Sequence, residues 1–128
     1  MLDLSQFTFD GGELALDPVK DFVARVPPGL TTKKDLFNVL EGALRLPAYF
    51  GKNWDALDEC LGDLSWIHNR RVVLIHDDVP ALDSNELQSY LCVLLRNVSD
   101  WKNAESHELV VVFPHEYRPQ LERMTGWS

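Results

Sequence analysis

Four acidic residues recur within the ten-residue segment WDALDECLGD, and their spacing is the strongest chemical signal in the chain. They are Asp55, Asp58, Glu59 and Asp63. Steps of three, one and four residues place them on one face of a helix. No Lys or Arg stands in this segment to neutralise them. Because crowded carboxylates repel one another, the pattern indicates either a solvated acidic face or a surface that binds cations.

These carboxylates could serve catalysis, magnesium binding or recognition of a basic partner. General acid–base catalysis works best with two carboxyl groups in contrasting environments, which separate their pKa values. All four acids are predicted on one exposed face, so binding is favoured over catalysis. Tyr49, just before the helix, adds an aromatic ring that could lie against a partner or pack within its own loop.

A second candidate site follows the apolar run RVVLI. His76, Asp77 and Asp78 stand where this predicted strand ends, and open α/β sheets bind their ligands at that edge. The trio could serve a metal-dependent or acid–base enzyme. A metal site needs three or four converging ligands, and the sequence gives no reason to recruit a particular further histidine. The alternative is a polar strand exit in which Asp78 and Pro80 form a turn. We therefore predict no catalytic residue, metal or cofactor.

Composition limits the class of partner. The 128 residues suit one domain, and the formal charge of −8 with a pI near 4.8 disfavours nucleic acid, whose phosphates need clustered Lys and Arg. A basic protein is the better partner. No apolar run approaches the ~20 residues of a membrane span, and the start MLDLSQFTFD lacks the pattern of a secretion signal. Cys60 and Cys92 are expected to be reduced and packed. We expect a bacterial-type cytoplasmic protein that is a monomer when free.

The acidic helix has clear boundaries. Pro47 stops the helix before it, and Asn53 is placed to cap the new helix through its side-chain oxygen. A stripe at three- and four-residue spacing predicts the buried face; it consists of Trp54, Leu57, Leu61 and Leu64.

The other elements predict an α/β fold. Thr32 with Asp35 opens an amphipathic helix that runs to about residue 45, and Asp83 with Glu86 opens the longest helix. Strands are predicted at residues 22–26, 71–75 and 109–113. Strands that alternate with helices favour a parallel sheet covered by helices. We predict one domain, 1–128, with a core of about 21–113, an N-terminal extension of 1–20 that includes a short edge hairpin, and a tail of 114–128.

The run LPAYFGKNWDALDECL, with its flanking strands and helices, resembles the barstar family of small acidic intracellular inhibitors of secreted bacterial ribonucleases. The resemblance covers about residues 21–113. It implies a three-stranded parallel sheet packed with three to four helices. It also implies a protein that is not an enzyme.

In that family a loop tyrosine, a capping asparagine and helix acids plug the nuclease active site, with carboxylates where substrate phosphates would lie. The resemblance implies these roles for Tyr49, Asn53 and Asp55. Glu59 stands where the family has its dominant aspartate, Asp58 replaces a tryptophan, and Asp63 replaces a glycine. A further acid near the end of the long helix contributes in the family, and Asp100 or Glu105 could take that part.

Three functions remain open from the sequence. The first is a ribonuclease inhibitor, or an immunity protein (antitoxin), for a basic extracellular-type ribonuclease or nuclease toxin. The second is a small enzyme built on His76, Asp77 and Asp78. The third is an interaction module that binds a basic protein other than a nuclease.

Overall fold

A computed structural model describes residues 2–126, which form a four-stranded sheet with helices packed mainly on one face. The strands are β1 (Thr8–Asp10), β2 (Asp21–Val26), β3 (Arg71–His76) and β4 (Glu108–Pro114). All neighbours are parallel, in the order β1-β4-β3-β2. The three strands predicted from the sequence are confirmed as β2, β3 and β4.

The expected three-stranded sheet is wrong by one strand. β1 lies in the N-terminal extension and pairs with β4, with Thr8 opposite Val112 and Phe9 opposite Phe113. The expected edge hairpin is therefore a parallel edge strand. A three-residue strand carries little of the alternation that identifies strands, and its partner is about a hundred residues away, so local sequence could not place it.

The first three α-helices begin at the predicted caps, whereas the fourth has no side-chain cap. They are α1 (Lys33–Ala43), α2 (Trp54–Asp63), α3 (Ser84–Trp101) and α4 (Arg118–Thr125). The side chains of Thr32, Asn53 and Asp83 each accept from the backbone N–H three residues later, at Asp35, Ala56 and Glu86. Within residues 2–126, no helix combines the length and apolar character that crossing a bilayer requires.

The two faces of the sheet are covered differently. Side chains of α1, α2 and α3 form the main core with alternate residues of the strands, among them Val72 and Leu74. The opposite face carries Val73, Ile75 and Val112, and it is covered by Leu14 and Leu16 of the extended segment between β1 and β2. Helices α2 and α3 contact each other directly, which sets the position of the acidic helix.

Candidate functional site

The loop before α2 exposes the ring of Tyr49 and buries the ring of Phe50. Phe50 is buried and meets Phe37 edge to face, with ring centroids 5.8 Å apart. Its backbone N–H donates to the carbonyl of Pro47 at 2.9 Å, which closes a tight turn. Tyr49 is 70% exposed as a result. An exposed tyrosine on an anchored loop is available to a partner at little ordering cost.

Asn53 and Lys52 fix the join between this loop and α2. Asn53 Oδ1 accepts from the Ala56 N–H at 2.8 Å, which confirms its capping role. Lys52, and not Gly51, adopts the left-handed conformation, with φ of 52°. Its ammonium donates to Asn38 Oδ1 at 3.0 Å and lies 3.7 Å from Glu41, so the strained residue is tied to α1.

Helix α2 buries Leu57 and Leu61 completely and turns its acids away from the core. Asp55, Glu59 and Asp63 are exposed, whereas Asp58 is half-buried against α3. The predicted division of this helix into an apolar and an acidic face is confirmed for Asp55, Glu59 and Asp63. The expectation that all four acids are exposed is wrong for Asp58, because helix α3 packs against its side chain.

Asp58 is engaged by two residues of α3. Its Oδ2 accepts from Arg96 Nη1 at 2.8 Å, and its Oδ1 accepts from Asn97 Nδ2 at 2.8 Å. The Asp58 side chain is 27% exposed and that of Arg96 is 59% exposed. Among the residues that the structure describes, Asp58 is thus the one predicted site acid whose charge is balanced by a cation of the chain itself.

The Asp58–Arg96 pair lines two neighbouring grooves between α2 and α3. The acidic groove, of about 540 Å³, is formed by these two residues with Asn97 and Gly62 and by four predicted site residues; the four are Tyr49, Glu59, Asp63 and Asp100. The side groove, of about 450 Å³, contains Asp55 and Trp54. Glu105 is exposed beyond the end of α3 and lines neither groove.

The four predicted acids that line the grooves beside the Asp58–Arg96 pair have no counter-ion within the described residues. None of Asp55, Glu59, Asp63 and Asp100 forms an ion pair with any residue between 2 and 126. Asp63 accepts one long hydrogen bond, 3.4 Å, from the Tyr49 hydroxyl. Burial, and then the charges of Asp63 and Glu59, raises the pKa of the neighbouring Cys60 thiol. Desolvation, followed by the charge of Asp63, also raises the pKa of Tyr49. The surface therefore carries a negative potential that a cation from outside would relieve.

The alternative site at His76, Asp77 and Asp78 does not converge. His76 is buried, with Nδ1 2.9 Å from the Val112 carbonyl and Nε2 2.7 Å from the Tyr90 hydroxyl, so both ring nitrogens have partners. Asp77 pairs with Arg25 at 3.0 Å. Asp78 accepts from the Val79 N–H at 2.8 Å. No group of three or more potential metal ligands occurs anywhere in residues 2–126. These contacts favour the polar strand exit over an enzyme site.

Comparison with known families shows to which family the chain belongs. The family model described as Barstar (barnase inhibitor) matches residues 25–114, which include α1, α2, α3 and every residue of both grooves. The chain belongs to the barstar family. The match confirms the resemblance to the barstar family. Strand β1, the segment between β1 and β2, and helix α4 lie outside the matched residues. No curated protein matches the chain.

Sequence reasoning placed Asp100 of α3 among the candidate residues but missed three other residues of this barstar surface. Arg96, Asn97 and the glycine at position 62 all line the acidic groove. One signal was present: Asn97 is a polar residue in the stripe that contains Leu94 and Val98, and such a residue needs a specific partner when buried. The partner, Asp58, lies 39 positions earlier, beyond the reach of helical spacing.

Proposed function

We propose that this protein is a cytoplasmic inhibitor of a basic bacterial ribonuclease or nuclease toxin, and that it blocks the nuclease active site with α2 and the preceding loop. Tyr49 and Asn53 contribute from the loop, and the carboxylates of Asp55, Glu59 and Asp63 contribute from the helix. Asp100 adds an acid from α3. Asp58 lies on the same surface, where its ion pair with Arg96 limits the negative charge that it adds.

One observation carries the proposal: the carboxylates that lack an internal cation lie beside an exposed tyrosine, within the part of the chain that matches the barstar family. The hydrogen-bond and charge capacity of these groups is left for a partner. A structural helix surface would more commonly alternate such acids with Lys or Arg.

The chemistry of ribonucleases supplies the complementary surface. Their active sites collect Arg, Lys and His to hold phosphate, and preformed carboxylates can satisfy the same donors. Opposite charges also accelerate the encounter, an effect for which barnase and barstar are the standard example. A cytoplasmic location follows from this role, because an inhibitor must act where the nuclease is made.

The test measures inhibition of, and binding to, a panel of basic bacterial ribonucleases that includes barnase. The wild-type chain should inhibit a cognate nuclease in a one-to-one complex that weakens as salt rises. The double variant Asp55→Ala/Glu59→Ala should weaken binding by roughly thirtyfold or more, because it strips the interface of carboxylates that become desolvated on binding.

The matched control removes the same charge from elsewhere. Asp35→Ala/Glu116→Ala deletes two exposed acids outside both grooves, and its affinity should stay within about threefold of wild type. If both double variants weaken binding equally, the chain acts through net charge and the assigned surface is wrong.

The same assay distinguishes the contributions of Asp100 and Glu105 to binding. Asp100 lines the acidic groove and Glu105 does not, so Asp100→Ala should reduce affinity about tenfold while Glu105→Ala leaves it unchanged. If Glu105→Ala reduced affinity and Asp100→Ala did not, the contributing acid would lie in the loop after α3 and not in the acidic groove.

A further inference from the structure

The floor of the acidic groove holds an acceptor that the chain does not use. Asn97 is 2% exposed, and its Nδ2 donates to Asp58 Oδ1 at 2.8 Å and to the Val93 carbonyl at 2.9 Å. Because both neighbours are acceptors, the amide orientation is determined by its surroundings. Its Oδ1 accepts no hydrogen bond from any residue of 2–126 and is not sealed from solvent.

Gly62 keeps this oxygen accessible. A Cβ placed on Gly62 would lie 3.4 Å from Asn97 Oδ1, so a side chain at this position would extend over the oxygen. Glycine costs up to about 1 kcal/mol in a helix relative to alanine. The backbone of Gly62 is not in the left-handed region, so its conformation does not require glycine. The absence of a side chain at Gly62 leaves the space above Asn97 Oδ1 open.

The walls of the groove select the kind of group that can enter. Glu59, Asp63 and Asp100 carry negative charge without a counter-ion in residues 2–126, and Tyr49 lies at the edge. The cation of the groove, Arg96, is paired with Asp58, so the three acids leave the groove with net negative charge. An unused amide oxygen accepts a hydrogen bond and donates none. A carboxylate or phosphate would be repelled at this place, whereas a cation with N–H groups would be attracted and bonded.

We propose that the acidic groove is a seat for one basic side chain of the bound protein, whose guanidinium or ammonium group donates to Asn97 Oδ1 over Gly62 while the surrounding carboxylates balance its charge. The identity of that protein rests on the proposed function. The preference for an N–H-bearing cation rests on the groove alone.

The seat can be tested on the free protein with a small probe. Propylguanidinium is titrated into ¹⁵N-labelled full-length protein at constant ionic strength, and both backbone and side-chain amide signals are followed. The side-chain amide of Asn97 and the backbone amides of Gly62 and Asp63 should shift together and saturate. Tetramethylammonium has the same charge but no N–H, and it should bind about tenfold more weakly.

Two glycine variants provide the structural control. Gly62→Leu should cover Asn97 Oδ1 and reduce probe affinity about tenfold. Gly42→Leu makes the same change in α1, where an added Cβ meets nothing within 4 Å, and should leave probe binding intact. Both replace a helical glycine with a good helix former, so both proteins should fold.

The outcomes separate the seat from the proposed inhibitor role. Shifts scattered over all acidic surfaces, or equal binding of the two cations, would overturn the seat. So would a cognate nuclease that binds Gly62→Leu as tightly as wild type. If the probe binds selectively and Gly62→Leu weakens this binding about tenfold, the seat is supported even if no ribonuclease in the panel binds. In that case the proposed target is wrong.

Discussion

The ion pair between Asp58 and Arg96 sets how much negative charge the surface presents. Replacing Arg96 with Met keeps an apolar stem, frees Asp58 and changes the formal charge from −8 to −9. Arg96 is 59% exposed, so its loss should lower the free energy of unfolding by no more than about 1 kcal/mol. The association rate with a basic nuclease should rise about threefold at low salt, because attraction over a distance grows with unbalanced charge.

Stopped-flow association at low and high salt measures this effect. Arg123→Met removes an equal charge from an exposed position on α4, outside both grooves, and should raise the rate less. An association rate that falls in Arg96→Met would mean that the partner contacts the guanidinium itself. The role assigned to Arg96 would then be wrong.

His76 connects strand β3 to its neighbour β4 and to helix α3. Its ring stacks on Phe113 of β4 with centroids 4.1 Å apart, and it lies between the Val112 carbonyl and the Tyr90 hydroxyl of α3. The neutral ring satisfies both contacts by donating from Nδ1 and accepting at Nε2. Burial lowers the pKa of His76 from 6.5 to about 4. Protonation of this ring would therefore oppose folding.

The sign of the pH dependence follows directly. Between pH 6.5 and about 4 the unfolded chain binds a proton at His76 and the folded chain does not, so stability falls as pH falls through this window. The contribution is about 3 kcal/mol between pH 7 and pH 4. Urea unfolding of wild type and His76→Gln should show a smaller acid-induced loss in the variant by about this amount. If the free energies of unfolding of the two proteins fell equally between pH 7 and pH 4, the role assigned to His76 would be wrong.

The elements that sequence predicts well are those set by local chemistry. Thr32, Asn53 and Asp83 cap the helices they were expected to cap, since a cap needs only an oxygen and an amide three residues away. The exposed acids of α2 follow equally from local spacing. The partners of Asp58 could not be predicted, because they depend on how α2 meets α3. The left-handed conformation of Lys52 could not be predicted either, because it accompanies a contact between Lys52 and α1.

Across the whole molecule, the residues before the family match take part in the core. Leu4 is completely buried, Phe7 meets Phe113 edge to face at 5.2 Å, and the turn Leu4–Gln6 contacts α3. Leu14 and Leu16 cover the sheet face that the helices leave open. The same α3 carries Arg96 and Asn97, so this segment supports the helix that forms one wall of the grooves.

This arrangement predicts that Leu4→Ala destabilises the entire fold. Emptying a fully buried leucine site should lower the free energy of unfolding by about 2–5 kcal/mol, in a single transition followed by both tryptophan fluorescence and far-UV circular dichroism. Leu2→Ala, at a half-buried position, should cost less. Nuclease affinity should be unchanged at temperatures where Leu4→Ala is folded, because Leu4 lines neither groove. A separate early transition, or a loss below about 1 kcal/mol, would show instead that the N-terminal residues are peripheral and that α3 holds the binding surface without them.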